Sequence, residues 1–190
     1  MARCLLTLFL LLCCAGAAQA ENRVFAQFSA DLPEGWDGQE RTAFSSGSQD
    51  EYMLVLGKQD QEQERFLAQI SIYLLPNTPK ATAEDFARKM TELQGDASEP
   101  RKEGRFWTFT GVPRNQTVKG QAVTMVNTTP ERILIIISQD PERIGADKVV
   151  AGLSGVTPEA KAYWEDRDSP RPKTTVGCLK HYGRTLSTLS

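Results

Sequence analysis

One segment of this sequence constrains the fold more than any other. Residues 132–138 read Arg-Ile-Leu-Ile-Ile-Ile-Ser, so five consecutive positions are large and apolar. In an extended chain such a run places apolar side chains on both faces, which a strand needs when it is covered on both sides. Turn-forming residues precede it at positions 127–131. We therefore predict that residues 132–138 form a central strand of a sheet.

Five other segments have the composition or the alternation of strands. They are residues 25–30, 52–56, 66–75, 104–111 and 117–126. Within the third of these, Phe66, Ala68, Ile70, Ile72 and Leu74 alternate with a more mixed set, so one face of the strand is apolar and should meet the core. The connections between consecutive strands are short, which predicts antiparallel neighbours.

A first predicted helix covers residues 82–94. Thr82-Ala83-Glu84-Asp85 has the form of a capping box, in which a hydroxyl and a carboxylate satisfy the free amides of a helix start. An apolar stripe follows, and Gly95 is the expected stop. The stripe consists of Ala83, Phe86, Ala87, Met90 and Leu93.

A second predicted helix begins at Asp140, which offers an N-cap, with Pro141 in the first helical position. Its apolar positions, Ile144, Val149, Val150 and Leu153, would pack on the sheet. The element order is then β-β-β-α-β-β-β-α. We predict an α+β fold, with a mostly antiparallel six-stranded sheet and helices packed on it.

The amino-terminal end has the features of an export signal. Arg3 precedes an apolar run over residues 5–12, and Ala18-Gln19-Ala20 has the A-x-A form of a cleavage site. The run is too short to span a bilayer. Lipidation of Cys14 is an alternative that is weakened because Cys13, rather than Gly, Ala or Ser, precedes it. We predict that residues 1–20 are a cleaved signal peptide and that the protein is periplasmic or secreted.

The rest of the chain divides at Gly155. Residues 21–155 are predicted to form a single α+β domain, a size at which one core is the usual outcome. Residues 156–190 are predicted to be an extension, with a short helix from Thr157 through Trp164 followed by a flexible tail rich in proline and charge.

Composition disfavours several classes of function. The net charge of −2 gives no basic excess to neutralise nucleic-acid phosphates. After removal of the leader, Cys178 and His181 are the remaining cysteine and the one histidine, too few for a structural zinc site or a disulfide framework. Nucleophile-elbow and phosphate-loop motifs are missing from the sequence. We predict no catalytic residue, no cofactor and no metal, although Cys178 and His181 could pair as a reactive thiol and imidazole.

Four aromatic residues are candidates for binding a partner. Trp36 follows a Pro-Gly turn, and Trp107 lies on the opposite strand face from Phe106, so either side chain could line a groove or pack in the core. Tyr163 and Trp164 lie beyond the predicted core, where they could anchor an interface or fold back onto the domain.

Several segments of the chain together carry a resemblance to a known family. They are Phe28, Leu32-Pro33-x-Gly35-Trp36, the helix at 81–94, Gly104 to Phe109 and Ile133 to Ser138. These segments resemble the PsbP-like group, which includes the DcrB-like envelope proteins of bacteria. The resemblance covers roughly residues 24–154 and implies an antiparallel sheet with helices packed against it. Members of the group include an accessory subunit of the photosynthetic oxygen-evolving complex and a nuclear-transport regulator that binds a small GTPase. The resemblance therefore implies binding rather than catalysis, and it transfers no functional residue.

Three functions stay open on the sequence alone. The leading prediction is an exported, soluble accessory or binding protein of the cell envelope, without catalysis, that binds an unidentified protein or small ligand and has no membrane span. The first alternative is a carboxylate-dependent hydrolase, which requires a concave site with two or more carboxyls of displaced pKa. The second alternative is a structural subunit that docks through residues 156–190.

Overall fold

A computed structural model describes residues 20–43, 50–60, 62, 65–114 and 117–164. Within these residues the first strands are β1 (Glu21–Val24), β2 (Phe28–Leu32), β3 (Trp36–Thr42), β4 (Tyr52–Asp60) and β5 (Arg65–Pro76). Helix α1 (Ala83–Thr91) and strands β6 (Gln94–Gly95), β7 (Arg101–Glu103), β8 (Phe106–Pro113), β9 (Ala122–Thr128) and β10 (Arg132–Gln139) follow. The last elements are α2 (Ala146–Ala151), β11 (Ser154–Gly155) and α3 (Pro158–Lys161).

The strands form two sheets, and the α+β prediction is confirmed. The larger sheet has the order β3-β4-β5-β10-β9-β8-β6, with β7 also paired to β8. The smaller sheet has the order β1-β2-β11. All of these pairs are antiparallel.

Strand β10 lies in the middle of the larger sheet, as its sequence predicts. It pairs with β5 on one side and with β9 on the other. Leu134 and Ile136 point into the main core, whereas Ile133 and Ile135 belong to a second, smaller core on the opposite face. Because a fully buried Leu or Ile contributes about 1.5–3 kcal/mol, this strand stabilises both layers that cover it.

A different layer covers each face of the larger sheet. On one face, the smaller sheet packs with α2 and α3 around the main core. On the other face, α1 packs against β8 and β9. The layers are displaced from each other, because α1 lies over β8 and β9 whereas α2 contacts β2, β5 and β10.

Helix α1 begins as predicted but ends early. The Thr82 hydroxyl accepts the Asp85 amide hydrogen at 3.1 Å and donates to the Asp85 carboxylate at 2.7 Å. The last helical residue is Thr91, so the predicted end at residue 94 was wrong. The Leu93 amide donates to the carbonyl of Met90, which tightens the chain into a turn and leaves Leu93 60% exposed. Gly95 belongs to β6 instead of stopping the helix.

The strand count differs from the predicted six. All six predicted strands are present, but β1, β3, β6, β7 and β11 were missed. These strands are short or polar, and β3 reads Trp-Asp-Gly-Gln-Glu-Arg-Thr, as suits an edge strand that has one solvated side. The first predicted strand also starts later than expected. Phe25 lies in a turn, where its amide donates to the Phe28 carbonyl at 2.8 Å.

The second helix is shorter than predicted. Pro141 does not occupy its first position, because α2 begins at Ala146. Gly145 precedes the helix with a φ of +113°, a backbone conformation that a glycine adopts without steric cost. The intervening residues form a loop.

The core continues past Gly155. The Thr157 hydroxyl accepts the Ala160 amide hydrogen at 3.2 Å and donates to Gln27 at 2.6 Å, which ties α3 to the turn before β2. Ala160 and Tyr163 are buried in the main core, Tyr163 with 1% exposure. The predicted boundary at Gly155 therefore falls inside the packed unit. The predicted flexible tail lies outside the described residues.

Gly155→Ala should destabilise the protein by about 1–3 kcal/mol through overpacking. A Cβ atom at this position would stand 2.3 Å from the backbone nitrogen of Lys161. Gly95→Ala is the matched control, because its Cβ would meet nothing closer than the Val112 carbonyl oxygen at 3.8 Å. Urea unfolding measures both variants. Equal stability of the two variants would contradict the close packing of β11 on α3.

Truncation should locate the end of the cooperative unit. A chain of residues 21–164 should unfold in one transition, whereas residues 21–155 should lose several kcal/mol or fail to fold, because they lack the buried Ala160 and Tyr163. Urea unfolding followed by circular dichroism tests both forms. A stable 21–155 form would show that the core closes at Gly155 after all.

Candidate functional site

A groove lies on the main-core side of the larger sheet, where the displaced layers leave β9 partly uncovered. Its volume is about 1110 Å³. Val123 and Met125 of β9 form its floor, and Ile144 and Val150 form a wall on the side of α2. Val123 is 41% exposed. Its neighbours along the strand, Ala122 and Thr124, face the opposite side of the sheet and are buried. An apolar floor open to solvent is the feature of this fold that best suits a binding site.

The carboxylate of Asp140 organises the wall of the groove. It accepts the amide hydrogens of Ile144 at 2.8 Å, Gly145 at 3.0 Å and Ala146 at 2.9 Å. In the same loop, Arg143 has a φ of +54° and donates its amide hydrogen to the Asp140 carbonyl. The prediction that Asp140 is the N-cap of α2 was therefore wrong, because Gly145 takes that position; the Asp140 carboxylate instead holds the loop that precedes the helix. The groove is preformed, because these bonds fix its wall.

Charges of both signs surround the apolar floor. Arg143 and Lys148 lie on the α2 side of the rim, together with Asp147. Asp31 of β2 also lines the groove, and its carboxylate accepts a hydrogen bond from Asn22 at 2.8 Å. An apolar centre with a polar rim is the usual anatomy of a protein interface.

The clearest pKa displacements among carboxyl and phenol groups lie outside the groove. The amide hydrogen of Gly38, with help from Arg23, lowers the pKa of the Asp37 carboxyl. Burial, followed by the hydrogen bond to Glu40, raises the pKa of the Tyr52 phenol. The Gly38 contact lies within β3, whereas the contacts of Arg23 with Asp37 and of Tyr52 with Glu40 tie β3 to β1 and to β4, so the displacements have structural causes.

The described residues bring together few groups with catalytic or metal-binding chemistry. In this part of the chain, no cluster of three or more His, Cys, Asp or Glu side chains could hold a metal ion. Of the groove carboxylates, Asp140 is engaged by three backbone amides. Cys14, Cys178 and His181 lie outside the described residues.

Two of the four aromatic candidates are core residues. Trp36 is 5% exposed and Tyr163 is 1% exposed, and both belong to the main core. Trp36 also borders a smaller cavity of about 330 Å³ beside the turn that contains Pro33 and Gly35. Neither side chain presents an aromatic surface to a partner in this conformation.

The other two aromatic candidates are half-buried and lie on different faces. Trp164 packs on the main core, with ring centroids 5.9 Å from Phe28 and 6.2 Å from Phe106. Trp107 packs against the second core on the opposite face of the sheet. The structure does not bring the four aromatic candidates together, and none of them lines the groove.

Sequence reasoning missed the groove floor. Val123 and Met125 fall in a predicted strand, and Ile144 and Val150 were assigned to helix packing. Alternation shows which residues share a face, but it does not show which part of that face a second layer covers. The exposure of Val123 depends on how far α2 extends over the sheet, and a local sequence pattern does not predict that extent.

No helix in the described ranges is long and apolar enough to cross a membrane.

No family model and no curated protein matches the chain. A solved structure similar to it is the solution structure of cyanobacterial PsbP (CyanoP) from Synechocystis sp. PCC 6803, at 15% sequence identity and a TM-score of 0.42. The match covers 75% of this chain and 96% of that chain.

Asp140→Ala should lower the free energy of unfolding by about 1–3 kcal/mol, because three amides at the start of α2 lose a charged acceptor. Glu142→Ala is the control: this exposed residue lies in the same loop and makes no hydrogen bond among those described for this loop. Thermal and urea unfolding measure both variants. If Asp140→Ala lowers the free energy of unfolding no more than Glu142→Ala does, the Asp140 carboxylate does not hold the wall of the groove.

Proposed function

We propose that the protein is an exported accessory protein of the cell envelope that binds a partner protein through the groove, without catalysis. One observation carries this proposal. The groove presents an apolar floor, Val123 and Met125, beside a wall that Asp140 fixes in place. A preformed apolar surface loses little conformational entropy on binding, which favours recognition.

The dimensions of the groove favour a protein segment over a small molecule. Small-molecule pockets measure about 300–1,000 Å³ and bury most of their ligand. This groove, at about 1110 Å³, lies at the upper end of that range and is open to solvent, so it would leave much of a small ligand exposed. Its charged rim, which includes Arg143 and Asp147, offers polar partners around an apolar centre, as protein interfaces do.

Export is supported by the position of the predicted cleavage site. Strand β1 begins at Glu21, directly after Ala20. Cleavage there would remove no residue of either sheet. Ala20, which lines the groove, would be removed, and the new amino terminus would be Glu21, the next residue along the chain.

The two alternatives gain less from the structure. A hydrolase of this kind needs two carboxylates that face one cavity. In the groove, the Asp140 carboxylate is turned to three backbone amides and Asp31 accepts from Asn22, which leaves Asp147 on the rim. Docking through the extension would fall to residues beyond Trp164, because Ala160 and Tyr163 are part of the main core. Neither alternative has an observation as specific as the exposed groove floor.

Val123→Asp should abolish capture of the partner. Immobilised residues 21–190 are incubated with a native envelope fraction, and retained proteins are identified by mass spectrometry. We expect a partner whose retention falls at least about tenfold, equivalent to about 1.4 kcal/mol, because a carboxylate on the groove floor must be desolvated on binding.

Leu93→Asp is the matched control. Leu93 is also an exposed apolar residue, but it follows α1 and does not line the groove. This variant should retain the partner as the unchanged chain does. If the Val123→Asp variant and the unchanged chain retain the partner equally, the partner does not bind through the groove. If even the unchanged chain retains no protein, a protein partner is excluded in that fraction.

A further inference from the structure

Strand β1 is an edge strand of the smaller sheet, because among the described strands it pairs with β2 alone. The Phe25 amide donates to the Phe28 carbonyl at 2.8 Å, which closes the hairpin of β1 and β2. Bonded and non-bonded pairs alternate along an antiparallel ladder. Arg23 is therefore bonded to β2, whereas the main chains of Asn22 and Val24 point away from it.

The pairing of β2 with β11 agrees with this alternation. The Val156 amide donates to the Gln27 carbonyl at 2.8 Å, and Ser154 pairs with Ser29, two residues further along β2. The main chains of Gln27 and Ser29 therefore face β11, which leaves Phe28 to face β1. Both ladders assign the same residues of β1 to its free side.

The free side of β1 is less protected than the other long edges among the described strands. At β3 the Gly38 amide already donates to the Asp37 carboxylate, at 2.7 Å, and β6 and β7 cover the outer side of β8. By contrast, Val24 is 64% exposed, and the charge of Arg23 is neutralised by Asp37. An unprotected edge of this kind is a template for an additional strand.

The free side of β1 is bounded at one end and reaches the groove at the other. The Ala26 amide donates to the Glu40 carboxylate at 2.7 Å, so pairing along this side ends at Val24. At the opposite end β1 begins at Glu21, and the residue before it, Ala20, lines the groove. A strand added to β1 would therefore end beside the groove.

Pairing of β1 with β1 of a second copy is unfavourable in each antiparallel register that uses this side. Alignment of Asn22 with Val24 of the copy places Arg23 opposite Arg23, and directly opposed like charges are destabilising. Alignment of Asn22 with Asn22 places Val24 opposite position 20, which the predicted cleavage removes. Alignment of Val24 with Val24 places Asn22 opposite Ala26, whose amide Glu40 already holds. The edge therefore suits a different chain.

We propose that a segment of the partner protein adds to β1 as an extended strand. This inference rests on the proposed function, because the segment belongs to the partner that binds the groove. The segment forms hydrogen bonds with the main chains of Asn22 and Val24, and a β-branched or aromatic side chain of the segment packs beside Val24. The partner is thus recognised first by an extended main chain and then by its apolar side chains.

Val24→Pro removes one of the proposed main-chain donors. Proline has no N–H group, and the ladder of β1 and β2 does not use the N–H group of Val24, so the fold should tolerate this change at an edge. Val24→Thr is the matched control, because threonine is β-branched and keeps the N–H group. Circular dichroism and urea unfolding establish that both variants are folded.

A phage-displayed library of random dodecapeptides, selected on immobilised residues 21–190, supplies the binding probe. Enriched peptides should bind the unchanged chain and Val24→Thr with equal affinity. They should bind Val24→Pro at least about tenfold more weakly, because a carbonyl of the added strand loses its donor.

Hydrogen exchange tests the same pairing without a variant. In the free protein, the amide hydrogens of Asn22 and Val24 should exchange faster than that of Arg23, which is bonded to β2. A saturating selected peptide should slow the exchange at Asn22 and Val24 and leave that at Arg23 nearly unchanged.

Three results would overturn the proposal. The first is the absence of any enriched peptide, or unchanged exchange at Asn22 and Val24 when a peptide is bound. The second is a set of peptides that bind Val24→Pro at full affinity but not Val123→Asp, which would show recognition by the groove alone and leave the proposed function standing. The third is a dimer in sedimentation velocity that Val24→Pro dissociates, because a second copy would then occupy the edge.

The reverse pattern separates the two proposals. Peptides that bind Val123→Asp at full affinity but lose affinity for Val24→Pro would support strand addition at β1 and contradict the groove as the binding site.

Discussion

The burial of strand β10 on both faces is the constraint on which the rest of the structure depends. Leu134 and Ile136 need cover on one side of the sheet, and Ile133 and Ile135 need it on the other. The chain supplies the first cover with the smaller sheet, α2 and α3, and the second with α1. A single layer would leave one row of these side chains in water, at a cost of about 1.5–3 kcal/mol for each residue.

The groove follows from the way in which these two layers are placed. Both layers meet the sheet near β10, but they extend from it in opposite directions, so each face keeps an uncovered part. On the main-core face that part contains Val123 and Met125. Asp140 then decides the shape of the groove, because its bonds to three amides hold the start of α2 beside β9.

Local pattern was enough to predict the strands and the helix that carry large apolar side chains. Residues 132–138 and the capping box at Thr82 are examples, since their signals lie within a few positions of each other. Strand β3 was missed because an edge strand needs no alternation. The burial of Tyr163 was missed because it depends on the main core, whose other members, such as Phe28, are distant in the sequence. The exposure of Val123 depends on the extent of a layer elsewhere in the chain.

The central claim is that β9 carries an uncovered apolar floor that is available to a partner. The most direct measurement is the solvent accessibility of methyl groups in residues 21–164, probed by broadening with a soluble paramagnetic agent. The account predicts strong broadening of the Val123 methyls and protection of those of Leu134 and Ile136, which lie on the same face under the smaller sheet. Protection of Val123 equal to that of Leu134 would contradict it, because the groove would then be closed in the folded protein.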